Sequence, residues 1–192
     1  MPVETEIKLR LPEGAEPARR LLNRLGFGEA APRELEIDEV YDLPDLALRR
    51  SGRLLRLRHR GAVWILTYKG PALPGRHKSR EEIETTLADG EAFEAILAAL
   101  GYVRTFRYEK FRQKFVSANA LSSAGGTDSG IVTLDETPIG SFLELEGPEY
   151  WIDTTAEYLG FRREHYITSS YAALYQEHLL INPKAPSNMI FQ

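Results

Sequence analysis

No cysteine occurs among the 192 residues of the sequence. Disulfide bonds, thiolate nucleophiles and cysteine-ligated zinc sites are therefore excluded. No Gly-x-x-x-x-Gly-Lys-Ser/Thr run occurs either, which excludes a P-loop nucleotide site. The few histidines are scattered, without a helical histidine pair or a neighbouring carboxylate partner, and each is interpreted as structural or as a surface residue. They are His59, His77, His165 and His178.

The chain also lacks an excess of positive charge and a long apolar run. Its formal net charge is −4, which argues against a nucleic-acid partner, although a local cluster of basic residues can still bind an anion. No apolar run is long enough to cross a membrane, and the N-terminus does not resemble a signal peptide. We therefore expect a cytoplasmic protein without a membrane partner. Its length predicts a single domain over residues 1–182, with a loose tail over 183–192.

Charged and apolar residues alternate along most of the predicted strands. In residues 3–11, apolar side chains share one face, and Glu4, Glu6 and Lys8 share the other. Strands are predicted over residues 3–11, 34–42, 53–59, 63–69, 78–87, 102–116, 131–136 and 141–147. Helices are predicted over 16–25, 153–159 and 168–180, and a further helix capped by Asp89 is predicted to reach Leu100. Residues 117–130, rich in Ser, Gly and Ala, are predicted to form a loop at a barrel mouth.

A strand carrying Glu-x-Glu is followed three times by a helix that ends in Leu-Gly-aromatic. The carboxylate pairs are Glu4/Glu6, Glu82/Glu84 and Glu144/Glu146. A glycine after a helix is common and indicates little by itself. The repeated carboxylate pairs suggest a pseudo-symmetric barrel in which like residues point inward.

The ordinary interpretation of a charged strand face is the solvent side of a half-buried sheet. Two features favour an interior position instead. The carboxylates occur in tight pairs, which repel each other unless a cation lies between them, and the basic residues also occur in pairs, which suit an anion. A small barrel can enclose such a polar site. Acidic oxygen clusters suit Mg²⁺ or Mn²⁺, and Lys and Arg clusters suit phosphates, so the combination predicts a metal–polyphosphate site.

An ordered series of motifs over residues 3–175 resembles the CYTH family, also called the triphosphate tunnel metalloenzymes. The motifs are Glu4-Thr5-Glu6-Ile7-Lys8, Arg56-Leu57-Arg58, Leu66-Thr67-Tyr68-Lys69-Gly70-Pro71, Arg80-Glu81-Glu82-Ile83-Glu84, Lys110-Phe111-Arg112, Asp135 with Gly140-Ser141-Phe142-Leu143-Glu144-Leu145-Glu146, and Ser170-Tyr171-Ala172-Ala173-Leu174. The family groups class IV adenylyl cyclases, thiamine triphosphatases and inorganic triphosphatases.

The resemblance implies an α+β fold: a closed eight-stranded antiparallel β-barrel with helices packed outside. It implies that Mg²⁺ or Mn²⁺ is held by Glu4, Glu6, Asp135, Glu144 and Glu146. It implies that the phosphates are bound by Lys8, Arg56, Arg58, Lys69, Arg80, Lys110 and Arg112. Arg162 and Arg163 are candidates for a basic residue that some members place near the C-terminus. The tyrosines at 166, 171 and 175 are interpreted as helix residues that pack on the barrel.

Three functions fit these residues, all with a small-molecule triphosphate as ligand. Hydrolysis of the terminal phosphate is favoured, with Lys8 as a catalytic cation and Glu82 or Glu84 orienting the water. Cyclisation of ATP by an adenylyl cyclase needs a nucleoside pocket in addition. A non-catalytic polyphosphate or nucleotide-binding module would not need so many acidic residues. The sequence leaves open the identity of the triphosphate and whether the protein is a monomer or a homodimer.

Overall fold

The computed structural model describes residues 3–117 and 130–192, so most of the loop predicted at 117–130 lies outside the described residues. Eight strands are present: β1 (Val3–Leu11), β2 (Phe27–Asp42), β3 (Leu54–Arg60), β4 (Val63–Lys69), β5 (Lys78–Leu87), β6 (Val103–Ser117), β7 (Ile131–Thr137) and β8 (Gly140–Glu146). They close into a barrel in the order β1-β5-β4-β3-β2-β6-β7-β8. Every neighbouring pair is antiparallel, which confirms the predicted fold.

Five helices accompany the barrel in the described parts of the chain. They are α1 (Ala15–Arg24), α2 (Ala47–Arg50), α3 (Gly90–Ala99), α4 (Glu149–Tyr158) and α5 (Tyr171–Ile181). Asp89 caps α3 as predicted, because its carboxylate accepts a hydrogen bond from the amide of Ala92. None of these helices has both the length and the apolar character that a membrane crossing requires.

The apolar faces of the strands point outward, where helices cover them. Ile7 of β1 and Leu145 of β8 are paired and fully buried, and they pack with Leu22 of α1 and Ile152 of α4 in one core cluster. The cluster under α5 is different, because Phe106, Tyr108 and Phe142 share the strand faces of Lys110 and Glu144 and therefore lie inside the barrel. A third cluster, of outward-facing residues, lies against α3. Because side chains alternate along a strand, this outward apolar face turns the charged face into the barrel. The interpretation of that face as the solvent side of a half-buried sheet is therefore wrong.

Several boundaries differ from the predicted ones. β2 begins at Phe27 rather than at residue 34, because register shifts around Ala31 interrupt the alternation that periodicity detects. α4 begins at residue 149, directly after Pro148. Ser170 caps α5, which therefore begins three residues later than expected. The short helix α2 was not predicted, since four residues carry no detectable periodicity.

The segment predicted as a loose C-terminal tail packs along β6 instead. Met189 is fully buried between β6 and α5. Its amide donates to the carbonyl of Arg107 at 3.0 Å, and its carbonyl accepts from the amide of Glu109 at 2.8 Å. The hydroxyl of Tyr175 contacts two further carbonyls of this segment. The apolar sequence at 189–191 supplies the surface that fixes it.

Candidate active site

Charged side chains surround a cavity of about 570 Å³ inside the barrel. All but one of the predicted site residues line it: Glu4, Glu6, Lys8, Arg56, Arg58, Lys69, Arg80, Glu82, Glu84, Lys110, Arg112, Glu144 and Glu146. The exception is Asp135. The barrel therefore brings together residues that lie more than 140 positions apart in the chain.

The pairing of β1 with β8 places the two carboxylate pairs side by side. Glu6 lies opposite Glu146, and Lys8 lies opposite Glu144. The Lys8 ammonium is 3.3 Å from a Glu6 oxygen and 3.2 Å from a Glu144 oxygen. These two carboxylates raise the pKa of Lys8 in spite of its burial, so Lys8 stays charged.

Two further lysines bind the same carboxylates from β4 and β5. Lys69 donates to Glu4 at 2.7 Å, and Lys78 donates to Glu6 at 2.7 Å. Burial lowers the pKa of each lysine to about 8. Lys69 also contacts Glu82.

The cluster of four glutamates on β1 and β8 fits a divalent cation. Glu146 forms no ion pair with any described residue, and burial followed by the charge of Glu4 raises its pKa to about 7. Oxygen-only donors of this kind suit Mg²⁺ or Mn²⁺, and Glu4, Glu6, Glu144 and Glu146 could hold such an ion. In the described residues no three acidic or histidine side chains are already arranged around a common metal position. Lysines occupy most of these carboxylates instead.

The opposite wall consists of cations held by buried carboxylates. Arg58 of β3 donates to Asp38 at 2.8 Å and lies 3.1 Å from Glu36. Arg112 of β6 donates to Asp135 at 2.7 Å. Burial opposes both guanidinium charges, but the adjacent carboxylates outweigh it and raise the pKa of Arg58 and of Arg112. These cations are thus charged and held in place before any ligand arrives.

Sequence reasoning missed Glu36 and Asp38 of β2, which are 1% and 0% exposed. Glu36 lies within 3.8 Å of four cations: Arg58, Arg60, Lys110 and Arg112. The spacing of Glu36 and Asp38, two positions apart in a strand, does indicate that they share one face. It was obscured by Glu39, which lies on the outer face and pairs with Arg104, so both faces of β2 are acidic.

Two lysines of the cavity were also not assigned to the site, although each shares a strand face with a predicted residue. Lys78 is two positions from Arg80, and Lys114 is two positions from Arg112. Among the described residues, Arg80 and Lys114 form no ion pair, and the Nε of Arg80 is buried without a hydrogen-bond partner. Burial lowers the pKa of Arg80. Both side chains can therefore donate to an anion in the cavity.

The tyrosine, arginine and histidine candidates from the sequence lie in three places. Tyr171 lines the cavity at the start of α5, so it does more than pack on the barrel. Arg163 is mostly exposed and pairs with Asp153, and like Arg162 it does not line the cavity. His77 has a carboxylate partner that its sequence neighbourhood did not reveal, because its Nε2 lies 2.9 Å from Asp153. That contact joins the loop before β5 to α4, outside the cavity.

The predicted proton acceptors, Glu82 and Glu84, lie on β5 near Arg56. Glu82 is close to Lys69 and 3.9 Å from Arg56. Glu84 accepts a hydrogen bond from Thr67 at 3.2 Å and is about half exposed. The site thus combines a carboxylate group suited to a metal, cations suited to phosphates, and two carboxylates that can accept a proton.

The CYTH domain family matches residues 2–157 of the sequence. The chain belongs to the CYTH family. A CYTH relative from Methanocaldococcus jannaschii, named provisionally as an adenylate cyclase, is 27% identical over 144 residues, which cover 75% of this chain and 76% of the relative.

Solved structures share the CYTH fold. A Vibrio parahaemolyticus protein, also named provisionally as an adenylate cyclase, superposes with a TM-score of 0.75 at 18% identity and covers 90% of this chain and 97% of its own. A Hippeastrum protein, named provisionally as an adenylyl cyclase and described as having a dominant triphosphatase activity, superposes with a TM-score of 0.63 at 16% identity. The match covers 93% of this chain and 96% of that protein. At these identities the likeness shows the fold alone.

Proposed function

We propose that this CYTH protein hydrolyses the terminal phosphate of a small-molecule triphosphate inside the barrel, with Mg²⁺ or Mn²⁺ as cofactor. The observation that carries the proposal is the division of one cavity into a cation wall and a carboxylate group. The cation wall can hold the oxygens of a triphosphate, and the carboxylate group can hold the metal ion that accompanies it. A binding site for a simple anion would need only the cations.

The cations bind and orient the substrate. Arg56 and Arg58 on β3 and Lys110 and Arg112 on β6 face the cavity from the two strands that flank β2. Arg80 and Lys114 offer donors that no described carboxylate occupies. Fixed donors of this kind stabilise charge that develops on phosphoryl oxygens without having to reorganise. Lys8, kept charged by two carboxylates, adds a cation beside the metal-side group.

Water attacks the terminal phosphorus, and the bond to the leaving diphosphate oxygen breaks. Glu82 or Glu84 orients that water and accepts its proton. Glu4, Glu6, Glu144 and Glu146 would hold the metal, which when bound neutralises part of the triphosphate charge. Asp135 is left out of this group because it does not line the cavity.

Adenylyl cyclase activity is the second candidate. The names of the Methanocaldococcus and Vibrio relatives favour it. In that reaction the ribose 3′-hydroxyl attacks the α-phosphorus of ATP, and pyrophosphate leaves. The aliphatic part of the lining could contact a nucleoside and consists of Val3, Val40, Leu54, Ile65 and Ala172. Hydrolysis ranks first because the remainder of the lining is mainly charged, and the triphosphatase activity described for the Hippeastrum protein supports that order.

The products decide between the candidates. The protein is incubated with tripolyphosphate and separately with ATP, each with Mg²⁺ or Mn²⁺, and phosphate, pyrophosphate, ADP and cyclic AMP are resolved by chromatography. We expect phosphate from both substrates. Cyclic AMP with stoichiometric pyrophosphate would reverse the ranking, and binding without turnover would support a non-catalytic module.

A matched pair of variants on β5 tests the proposed proton acceptor. Glu82→Gln should lower kcat by about 100-fold or more, the usual contribution of a general base. Glu81→Gln changes the next residue of the same strand, which does not line the cavity, and should leave kcat unchanged. Equal activity of the two variants would exclude Glu82 and leave Glu84 as the acceptor.

A further inference from the structure

Asp135 occupies a different position from the other predicted metal ligands. It is 0% exposed and does not line the cavity. One of its oxygens accepts from Arg112 Nε at 2.7 Å. The other accepts from Arg112 Nη2 at 2.5 Å, from Lys110 at 3.2 Å and from the Tyr171 hydroxyl at 2.7 Å.

Both oxygens of the Asp135 carboxylate are engaged, since Oδ2 accepts three hydrogen bonds and Oδ1 accepts one. Because Asp135 does not line the cavity, a metal ion in the cavity would have to displace the bidentate guanidinium of Arg112 to reach it, and the displaced charge would be costly in the protein interior. The surroundings of Asp135 therefore do not fit a metal ligand.

Tyr171 connects this carboxylate to the C-terminal helix. It begins α5, and its ring lies 5.3 Å from the Lys8 ammonium and 5.1 Å from the Lys110 ammonium. A ring at this distance attracts both cations. Asp135 thus receives Arg112 and Lys110 from β6 and Tyr171 from α5.

We propose that Asp135, together with Tyr171, is a positioning element that holds Arg112 and Lys110 toward the phosphates and does not bind the metal. The proposal rests on the proposed function only in taking a triphosphate as the anion. Without Asp135, Arg112 would turn to Glu144, which it already contacts, or to Glu36 at 3.8 Å. Either move would withdraw a phosphate donor and compete for a metal-side carboxylate.

The test measures metal and phosphate binding separately on the full chain. Mn²⁺ binding is followed by electron paramagnetic resonance without phosphate, and tripolyphosphate or ATP binding is followed by calorimetry without metal. The variants are Asp135→Asn, Tyr171→Phe and, as a metal-side comparison, Glu6→Gln. Circular dichroism checks that each variant is folded.

We expect Asp135→Asn to weaken tripolyphosphate binding by about 10-fold, the effect of one charge-assisted contact. Tyr171→Phe, which removes only the hydroxyl, should weaken it by about 3-fold, on the order of one neutral hydrogen bond. Both should bind Mn²⁺ as the wild type does, whereas Glu6→Gln should bind it more weakly. If Asp135→Asn does not fold, Tyr171→Phe still decides the question. Loss of Mn²⁺ affinity comparable to that of Glu6→Gln, or unchanged tripolyphosphate affinity, would overturn the proposal.

A double-mutant cycle shows whether Asp135 acts through Arg112. In an Arg112→Ala background, adding Asp135→Asn should weaken tripolyphosphate binding by about 3-fold or less, because only the contact between Asp135 and Lys110 is left to lose. Full additivity would contradict the positioning role. A wild type that binds tripolyphosphate without turning it over would overturn the proposed function alone. A wild type that binds neither tripolyphosphate nor ATP would overturn both.

Discussion

The two sides of the barrel carry similar charges but arrange them differently. On the backed side, formed by β2, β3, β6 and β7, the carboxylates Glu36, Asp38 and Asp135 lie buried behind the cations. On the open side, formed by β1, β4, β5 and β8, the carboxylates themselves line the cavity with the lysines. The cations of the backed side are thus compensated mainly by carboxylates behind them, and the lysines of the open side are compensated by carboxylates that line the cavity.

The difference indicates that the backed side binds phosphate and that the open side binds the metal. Donors on the backed side are held by buried partners that a ligand does not reach, so they are preorganised for phosphate. Ion pairs on the open side, such as Lys78 with Glu6, involve groups that a metal–triphosphate complex could take over on both sides of the pair. An incoming metal would bind the carboxylates, and the phosphates would bind the released lysines.

Metal removal should give the largest effect, and it acts on the open side. We expect excess chelator to abolish triphosphate hydrolysis, at least by about 100-fold, and Mg²⁺ or Mn²⁺ to restore it, because the paired glutamates would then repel each other and the substrate. Phosphate release is measured, with thermal unfolding as a control for loss of structure. Full turnover in excess chelator would refute this expectation.

Arg58→Ala should strongly destabilise the backed side. It leaves Asp38 and Glu36 buried without their main partner, which costs about 3–5 kcal/mol of unfolding free energy. Urea unfolding measures the loss. Arg60→Ala serves as the control, because Arg60 is more exposed and its ion pairs are longer, at 3.7 and 3.8 Å. Equal stability of the two variants would show that the buried Asp38 and Glu36 do not make Arg58 more important for stability than Arg60.

Met189→Ala tests the support that the C-terminal segment gives to the backed side. The side chain is fully buried against β6 and α5, so truncation should cost about 2–4 kcal/mol. Ile181→Ala at an exposed position should change stability by less than about 0.5 kcal/mol. Both values come from thermal or urea unfolding. A neutral Met189→Ala variant would mean that the segment is as loose as the sequence suggested.

Arg80→Ala should give the smallest loss of stability and sharpens the comparison most directly. Arg80 is buried and has no ion pair with a described residue, so its removal should leave the unfolding free energy unchanged or raise it. Tripolyphosphate affinity should nevertheless fall by about 10-fold, because one charged donor is lost. Arg76→Ala, in the exposed loop before β5, should change neither quantity. A destabilised Arg80→Ala variant with normal affinity would assign Arg80 to the framework.

The sequence predicted the open side better than the backed side. Glu4, Glu6, Glu144 and Glu146 stand on strands whose opposite faces carry no charged residue, so alternation identifies them. Glu36 and Asp38 stand on a strand with acidic residues on both faces, and alternation cannot choose between those faces. Asp135 lies behind Arg112 and accepts a hydrogen bond from Tyr171, which is 36 positions away in the chain. No local sequence pattern predicts a contact over that distance. Cytoplasmic location and oligomeric state stay predictions.

The pairing of β1 with β8 has a consequence for how the protein folds as it is synthesised. Of the eight barrel strands Val3–Leu11 is synthesised first, yet its partners are Lys78–Leu87 and Gly140–Glu146. Ring closure therefore waits for the last strand, which at about 5–20 residues per second arrives many seconds after the first. Until then the charged face of β1 meets water, whereas Ile7 and Leu9 on its other face need cover. Helix α1, the next element in the chain, supplies Ala18 and Leu22 to the same core cluster and is available at once.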